Sequence, residues 1–169
     1  MANDIAGVMK SGEHGLLEIV NATHSGMDVE TFQSMVKKWL QTAKHPTMNR
    51  PYTDLIYQPM MELIKYLEAN KFKVYIVSGG GIDFMRSFVP KMYGIPEEHI
   101  IGSNGKVHYE NGKIIKDDEI NFIDDKETKP VAIYYTIGKR PIAAFGNSDG
   151  DFAMMLYTEA NKKYKTLQL

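Results

Sequence analysis

The chain reads as an α/β fold: a three-layer arrangement in which a mainly parallel sheet is covered by helices, preceded by a helical region and carrying a small β-hairpin insert. Three features predict it. Two segments, residues 73–78 (KVYIVS) and 141–146 (PIAAFG), are apolar on both faces, as strands of a covered parallel sheet are. Each runs into a loop rich in glycine or acidic residues and then into a helical pattern, the order expected of parallel α/β units. Between two alternating segments, Asn111-Gly112 is a strong type I′ hairpin signal.

The elements follow in order. Apolar residues recur at three and four spacing in residues 15–21 and again in 28–44, where Val29, Phe32, Met35, Val36, Trp39 and Leu40 form one stripe. Asp28 is the natural N-cap of the second helix and His45-Pro46 its stop. A third helix should run from Gln58 or Pro59 to about Asn70, with Met60, Leu63, Ile64 and Leu67 inward and Pro59 tolerated in its first turn. Strand 73–78 follows, then Gly79-Gly80-Gly81 and a helix from about Ile82 to Tyr93. Residues 100–102 form a short strand, 106–118 a hairpin, and 130–137 a helix leading into strand 141–146. The alternating end, residues 165–169, looks like a strand beginning.

Of the 169 residues, 43% are apolar, enough for one domain burying roughly 70% of its unfolded surface. Lys and Arg number 20 against 21 Asp and Glu, with no basic stripe, which argues against nucleic acid as a partner. Without cysteine there is no disulfide framework and no thiol chemistry. No apolar run approaches the roughly 20 residues that cross a bilayer, so a soluble chain without a membrane partner is expected.

Chemistry concentrates in two loops. A strand ending in Ser78, followed by glycines and a helix, places a hydroxyl and backbone N–H groups where an anion can approach closely, and so predicts a phosphate seat. A dinucleotide site is disfavoured, because the G-x-G-x-x-G template begun at Gly79 would need a glycine at Phe84. The loop Gly146-Asn147-Ser148-Asp149-Gly150-Asp151 gathers two carboxylates and one amide, oxygen ligands suited to Mg²⁺. An EF-hand is excluded, since Phe152 and Thr158 fall where that loop needs glycine and glutamate.

The pair KVYIVSGGGIDFMRSFVPKMYGI and KPVAIYYTIGKRPIAAFGNSDGDFAMM resembles motifs II, III and IV of the haloacid-dehalogenase-like (HAD) phosphatases, in order and with suitable spacing, closest to the phosphoserine-phosphatase-like branch. The resemblance implies a HAD-like Rossmannoid core over residues 56–169 and a helical cap over 1–55. It makes Ser78 the hydroxyl that bonds a transferring phosphoryl group, with Gly79 and Gly80 beside it. Lys129 becomes the cation of motif III, with Lys126 as its rival. Asn147 and Asp151, with Asp149 in support, match the Mg²⁺-holding positions, Asn147 standing where an aspartate is commoner. The implied substrate is a small phosphorylated molecule.

The same family opens on an apolar strand ending Asp-x-Asp, whose first aspartate attacks phosphorus. Nothing before Ser78 matches it. Asn3-Asp4-Ile5 has no preceding strand, and Asp117-Asp118 and Asp124-Asp125 come after motif II. The chain alone is therefore expected to be nearly inert, with a core incomplete at both ends. Because that strand separates those ending at Ser78 and Gly146 in this family, two strand edges should lack a partner, and either a homo-oligomer through them or poor solubility is expected. Three readings follow: a fragment of a phosphatase, which is preferred, a phosphate-binding pseudoenzyme, or a Rossmann-type nucleotide module.

Overall fold

The structure, a computed structural model, describes the backbone of residues 5–169 and side chains from His14 onward, so Asn3-Asp4 lies outside the described residues. Its elements are α1 (Ile5–His24), α2 (Val29–Leu40), α3 (Gln58–Ala69), β1 (Ile76–Gly81), α4 (Ile82–Arg86), α5 (Val89–Tyr93), β2 (Ile100–Glu110), β3 (Lys113–Phe122), α6 (Thr128–Ile137), β4 (Ala143–Ala144), α7 (Phe152–Glu159) and β5 (Leu167–Gln168). The expected α/β class, with parallel strand pairing and helices, is what is observed.

β1 pairs with β2 in parallel, Ile76 opposite Ile100 and Val77 opposite Ile101. Successive residues of a strand face opposite sides, so Ile100 and Ile101 enter different cores. Ile100 packs with Ile64, Met85, Val89 and Ile95. Ile101 packs with Ala132, Ile133 and Met154. Each fully buried isoleucine contributes about 1.5–3 kcal/mol of apolar burial, and helices cover both faces of the β1–β2 pair.

The hairpin is continuous with the sheet. β2 runs unbroken from its parallel partner into the antiparallel pairing with β3, from Asn104 opposite Phe122 to Glu110 opposite Lys113. Its turn has positive φ at Asn111 (49°) and Gly112 (84°), the type I′ geometry. α1 packs on β3 and α2 on α4. The link between α1 and α2 adds to the edge of β3, where the Gly26 amide donates to Lys116 at 2.8 Å and Lys116 donates to Met27 at 3.0 Å. Asp28 caps α2 by accepting from the Thr31 amide at 2.9 Å.

Several expected boundaries move, each for a tertiary reason. α2 ends at Leu40, not Lys44, because the Thr42 and Ala43 amides turn back onto the Trp39 carbonyl. The helix expected over 82–93 is two short ones, broken at Phe88 (φ −133°), one residue before Val89-Pro90 opens the second. β1 starts at Ile76, where β2 first offers a partner. β4 is two residues long because β5 pairs with only that much of it.

The strands fall into two separate sheets, β1-β2-β3 and β4-β5. Between β1 and β4 lies a cavity of about 810 Å³, walled by residues 74–77 on one side and 142–145 on the other. Met60, Leu63 and Leu67 of α3 line it. That explains why Met60, expected inside, is exposed.

Candidate functional site

The end of β1 is irregular in an informative way. Ser78 pairs with Gly102 and Gly81 with Ser103, so Gly79 and Gly80 bulge out of the ladder. Two bonds pin the bulge: the Ser103 hydroxyl donates to the Gly79 carbonyl at 2.6 Å and accepts from the Asp124 amide at 2.9 Å. Within it the Gly80 amide donates to Ser78 Oγ at 3.1 Å. Gly80 thus acts by orienting the hydroxyl, since its own N–H is engaged, and a hydroxyl that accepts one bond is a stronger donor for the next. α4 has only five residues, so the dipole expected behind the glycines is small.

Residues 123–129 supply the second component. Thr128 Oγ1 accepts from the Asp125 amide at 2.8 Å and donates to the Ile123 carbonyl at 2.5 Å, fixing the first turn of α6. Lys129, the next residue, is 5% exposed. Its Nζ lies 2.6 Å from Asp151 Oδ1 and 3.4 Å from the Val77 carbonyl. Lys126 is exposed and has a positive φ of 50°; its backbone amide bonds the Gly150 carbonyl at 3.2 Å. Of the two candidate lysines, the structure turns Lys129 inward.

The third component is the loop after β4. Asp151 Oδ2 accepts from the Asn147 amide at 3.0 Å, the Ser148 amide at 3.2 Å and the Ser148 hydroxyl at 3.1 Å. Ser148 and Asp151 form a capping box at the turn leading into α7. The carboxylate sits so close to Gly146 that any side chain at position 146 would collide with it. Burial pushes the Asp151 carboxyl upward, but the Lys129 ammonium, the Asn147 amide and the Ser148 hydroxyl outweigh it, and the group ends below its ordinary value.

Lys129 thus joins Asp151 and its loop to the Val77 carbonyl, one residue before Ser78 and the bulge. Asn147 and Asp149 lie on the same loop with exposed side chains. Both Asp151 oxygens are taken by the lysine and three donors, and no group of three or more His, Asp or Glu suited to a metal occurs among the described residues.

Beside the bulge opens a cleft of about 570 Å³, lined by Gly79–Gly81, α1, α2, Phe84 and Lys116. Two of its features escaped the sequence reading: Ser103, and a buried ion pair between Lys116 and Asp83 at 2.6 Å. Ser103 had a signal, a small polar residue in Gly102-Ser103-Asn104-Gly105 directly after an apolar pair. The ion pair had none, its partners being 33 positions apart with no shared pattern.

No family model and no curated protein matches the sequence. Among solved structures, a conserved protein of unknown function from Anaerococcus prevotii superposes with a TM-score of 0.58 at 23% identity, over 83% of this chain and 42% of that one. A phosphoserine phosphohydrolase-like protein from Francisella tularensis gives a TM-score of 0.45 at 16% identity, over 73% and 53% respectively. This chain therefore spans about half the length of either structure or less. The first likeness establishes a shared α/β fold.

Proposed function

We propose that this chain carries the phosphate-holding part of a HAD-type phosphomonoester hydrolase acting on a small phosphorylated substrate. One observation carries the reading: Lys129 is buried against Asp151 and also reaches the carbonyl of Val77, the residue before Ser78. Lys129 thus lies within reach of the residue that precedes Ser78, which supports the reading. A buried ammonium and a hydroxyl one residue beyond the carbonyl it reaches suit the charge that spreads over phosphoryl oxygens during transfer.

In this reading Ser78 donates its O–H to one phosphoryl oxygen and Lys129 neutralises the charge on another. The attacking carboxylate comes from a strand lying in the cavity between β1 and β4. Its oxygen bonds phosphorus as the ester oxygen departs and takes a proton, and water then hydrolyses the aspartyl-phosphate to restore the carboxylate. Bound Mg²⁺ would supply further charge neutralisation, and its ligand set needs that added carboxylate beside the loop 147–151. A second copy of the chain is the other candidate occupant of the cavity, which would make the protein a homo-oligomer through its strand edges.

The test is to join the chain to an apolar strand ending in Asp-x-Asp and measure phosphomonoester hydrolysis against the same fusion with the first Asp changed to Asn. The expected difference is several orders of magnitude. Equal rates, or no turnover from either fusion despite orthophosphate binding, would reduce the site to phosphate binding without catalysis.

A further inference from the structure

We infer that the cleft beside Gly79–Gly81 takes the apolar alcohol portion of a phosphomonoester, so that the substrate class is the phosphate ester of an uncharged alkyl or aryl alcohol. This rests on the phosphate-seat reading of the bulge and adds what lies beyond the phosphate. The cleft encloses about 570 Å³ and shares the backbone of Gly79, Gly80 and Gly81 with that seat. Gly79, the residue after Ser78, lies in its wall, so a group held at Ser78 has the cleft one residue away. Val20, Phe32, Met35, Val36, Trp39 and Phe84 form its apolar wall.

The polar side chains in the wall decide the class, because Lys116, Asp83, Asn21, Asn104 and Ser103 are already bonded within the protein and His24 is bonded through Nδ1. Lys116 Nζ is 2.6 Å from Asp83, with side-chain exposures of 5% and 15%, so their charges cancel where they lie. Lys116 also sits 4.9 Å over the Phe32 ring. Asn21 donates to the Glu119 carbonyl at 3.2 Å, and His24 Nδ1 is 2.9 Å from the Val20 carbonyl. Asn104 accepts from Asn121 at 2.7 Å and Ser103 donates to Gly79 at 2.6 Å. A leaving group bearing an ammonium or carboxylate would lose water and find no open counter-charge, which is costly. An apolar group loses nothing and gains the wall.

Trp39, the single tryptophan of the chain, lies in the wall, stacked on Tyr52 at 5.5 Å and tilted against Phe84 at 6.1 Å. Its fluorescence therefore reports occupancy directly. The experiment titrates the full chain with orthophosphate, methyl phosphate, hexyl phosphate and hexanol, and repeats it for Met35→Lys, Val20→Lys and Ser78→Ala. Met35 and Val20 are 45% and 37% exposed, so lysine at either position can reach water without unfolding the helix.

Affinity is expected to rise about threefold to fourfold per methylene from methyl to hexyl phosphate. Trp39 emission should shift with hexyl phosphate and stay put with orthophosphate. Either lysine variant should remove the chain-length gain while leaving orthophosphate binding intact, and Ser78→Ala should weaken every phosphate. Equal affinity for methyl and hexyl phosphate with a silent Trp39 overturns the inference while leaving the phosphate seat standing. If hexanol binds as tightly as hexyl phosphate and Ser78→Ala changes nothing, the phosphate seat fails and the substrate class falls with it. Binding of none of the probes overturns both.

Discussion

Replacing Lys129 with methionine keeps the length of the side chain and removes its charge, leaving the Asp151 carboxylate buried without its cation. Removing one partner of a buried ion pair costs about 3–5 kcal/mol. Here Asp151 keeps three other donors, so the lower end, about 3 kcal/mol, is expected. For a chain of 169 residues that lowers Tm by roughly 6–12 °C. The pH dependence makes the prediction sharper. In the native protein the Asp151 carboxyl is held below its ordinary value of 3.8, so its stabilisation is complete above that value and is lost as pH falls through the lower, folded one. In Lys129→Met, burial persists while the largest opposing influence is gone, so the carboxyl rises and protonates earlier. The gap between native and variant stability should therefore be widest near neutral pH and shrink on acidification. Urea unfolding of both proteins between about pH 7 and about pH 4 measures it. A gap below about 1 kcal/mol, or one that does not change with pH, would refute the claim that Lys129 and Asp151 form a buried charged pair.

Gly112→Val should destabilise by about 1–2 kcal/mol, because the turn holds φ at 84° there; urea denaturation reads it, and an unchanged midpoint would contradict the I′ assignment. Asp28→Ala should weaken α2, and since Thr31 and Lys113 hold the Asp28 carboxyl at about 2, that contribution is present above ordinary carboxylate values and lost as pH falls through about 2. Helical circular dichroism indifferent to the substitution at neutral pH would exclude the cap. The open edges of β1 and β4 should drive self-association, and sedimentation showing only monomer at high concentration would count against it. Ser78→Ala in a turnover-competent fusion should lower the rate by about 10²-fold, and an unchanged rate would remove Ser78 from the site.

What could be read from the sequence was what neighbouring residues decide among themselves. α3, with Pro59 in its first turn, the Asn111-Gly112 turn, and the end of α6 at Gly138 fell where expected, because each depends on side chains within a few positions. The extents of β1 and β4 did not, since a strand begins where a partner does, and partners lie far off in sequence. The same division holds in the site. Ser78 and Asp151 stood out through their loops and Lys129 through the resemblance, and the pairing of Lys129 with Asp151 required the fold. That Asp151 spends both oxygens on the lysine and on its capping donors, and that Gly80 serves the Ser78 hydroxyl, depends on local geometry that residue types alone do not specify. The cleft was out of reach for another reason: Met35 and Trp39 belong to an ordinary core stripe by pattern, and only the placement of α1 and α2 leaves them facing space.

The central claim is that Ser78 and Lys129 form a phosphate seat, and orthophosphate binding measured by calorimetry on the chain, on Ser78→Ala and on Lys129→Arg tests it most directly. The account predicts binding by the native chain, a loss of about tenfold or more in Ser78→Ala from removal of a charge-assisted hydrogen bond, and partial retention in Lys129→Arg. Native binding that neither substitution alters, or no binding by a chain that is demonstrably folded, would contradict it.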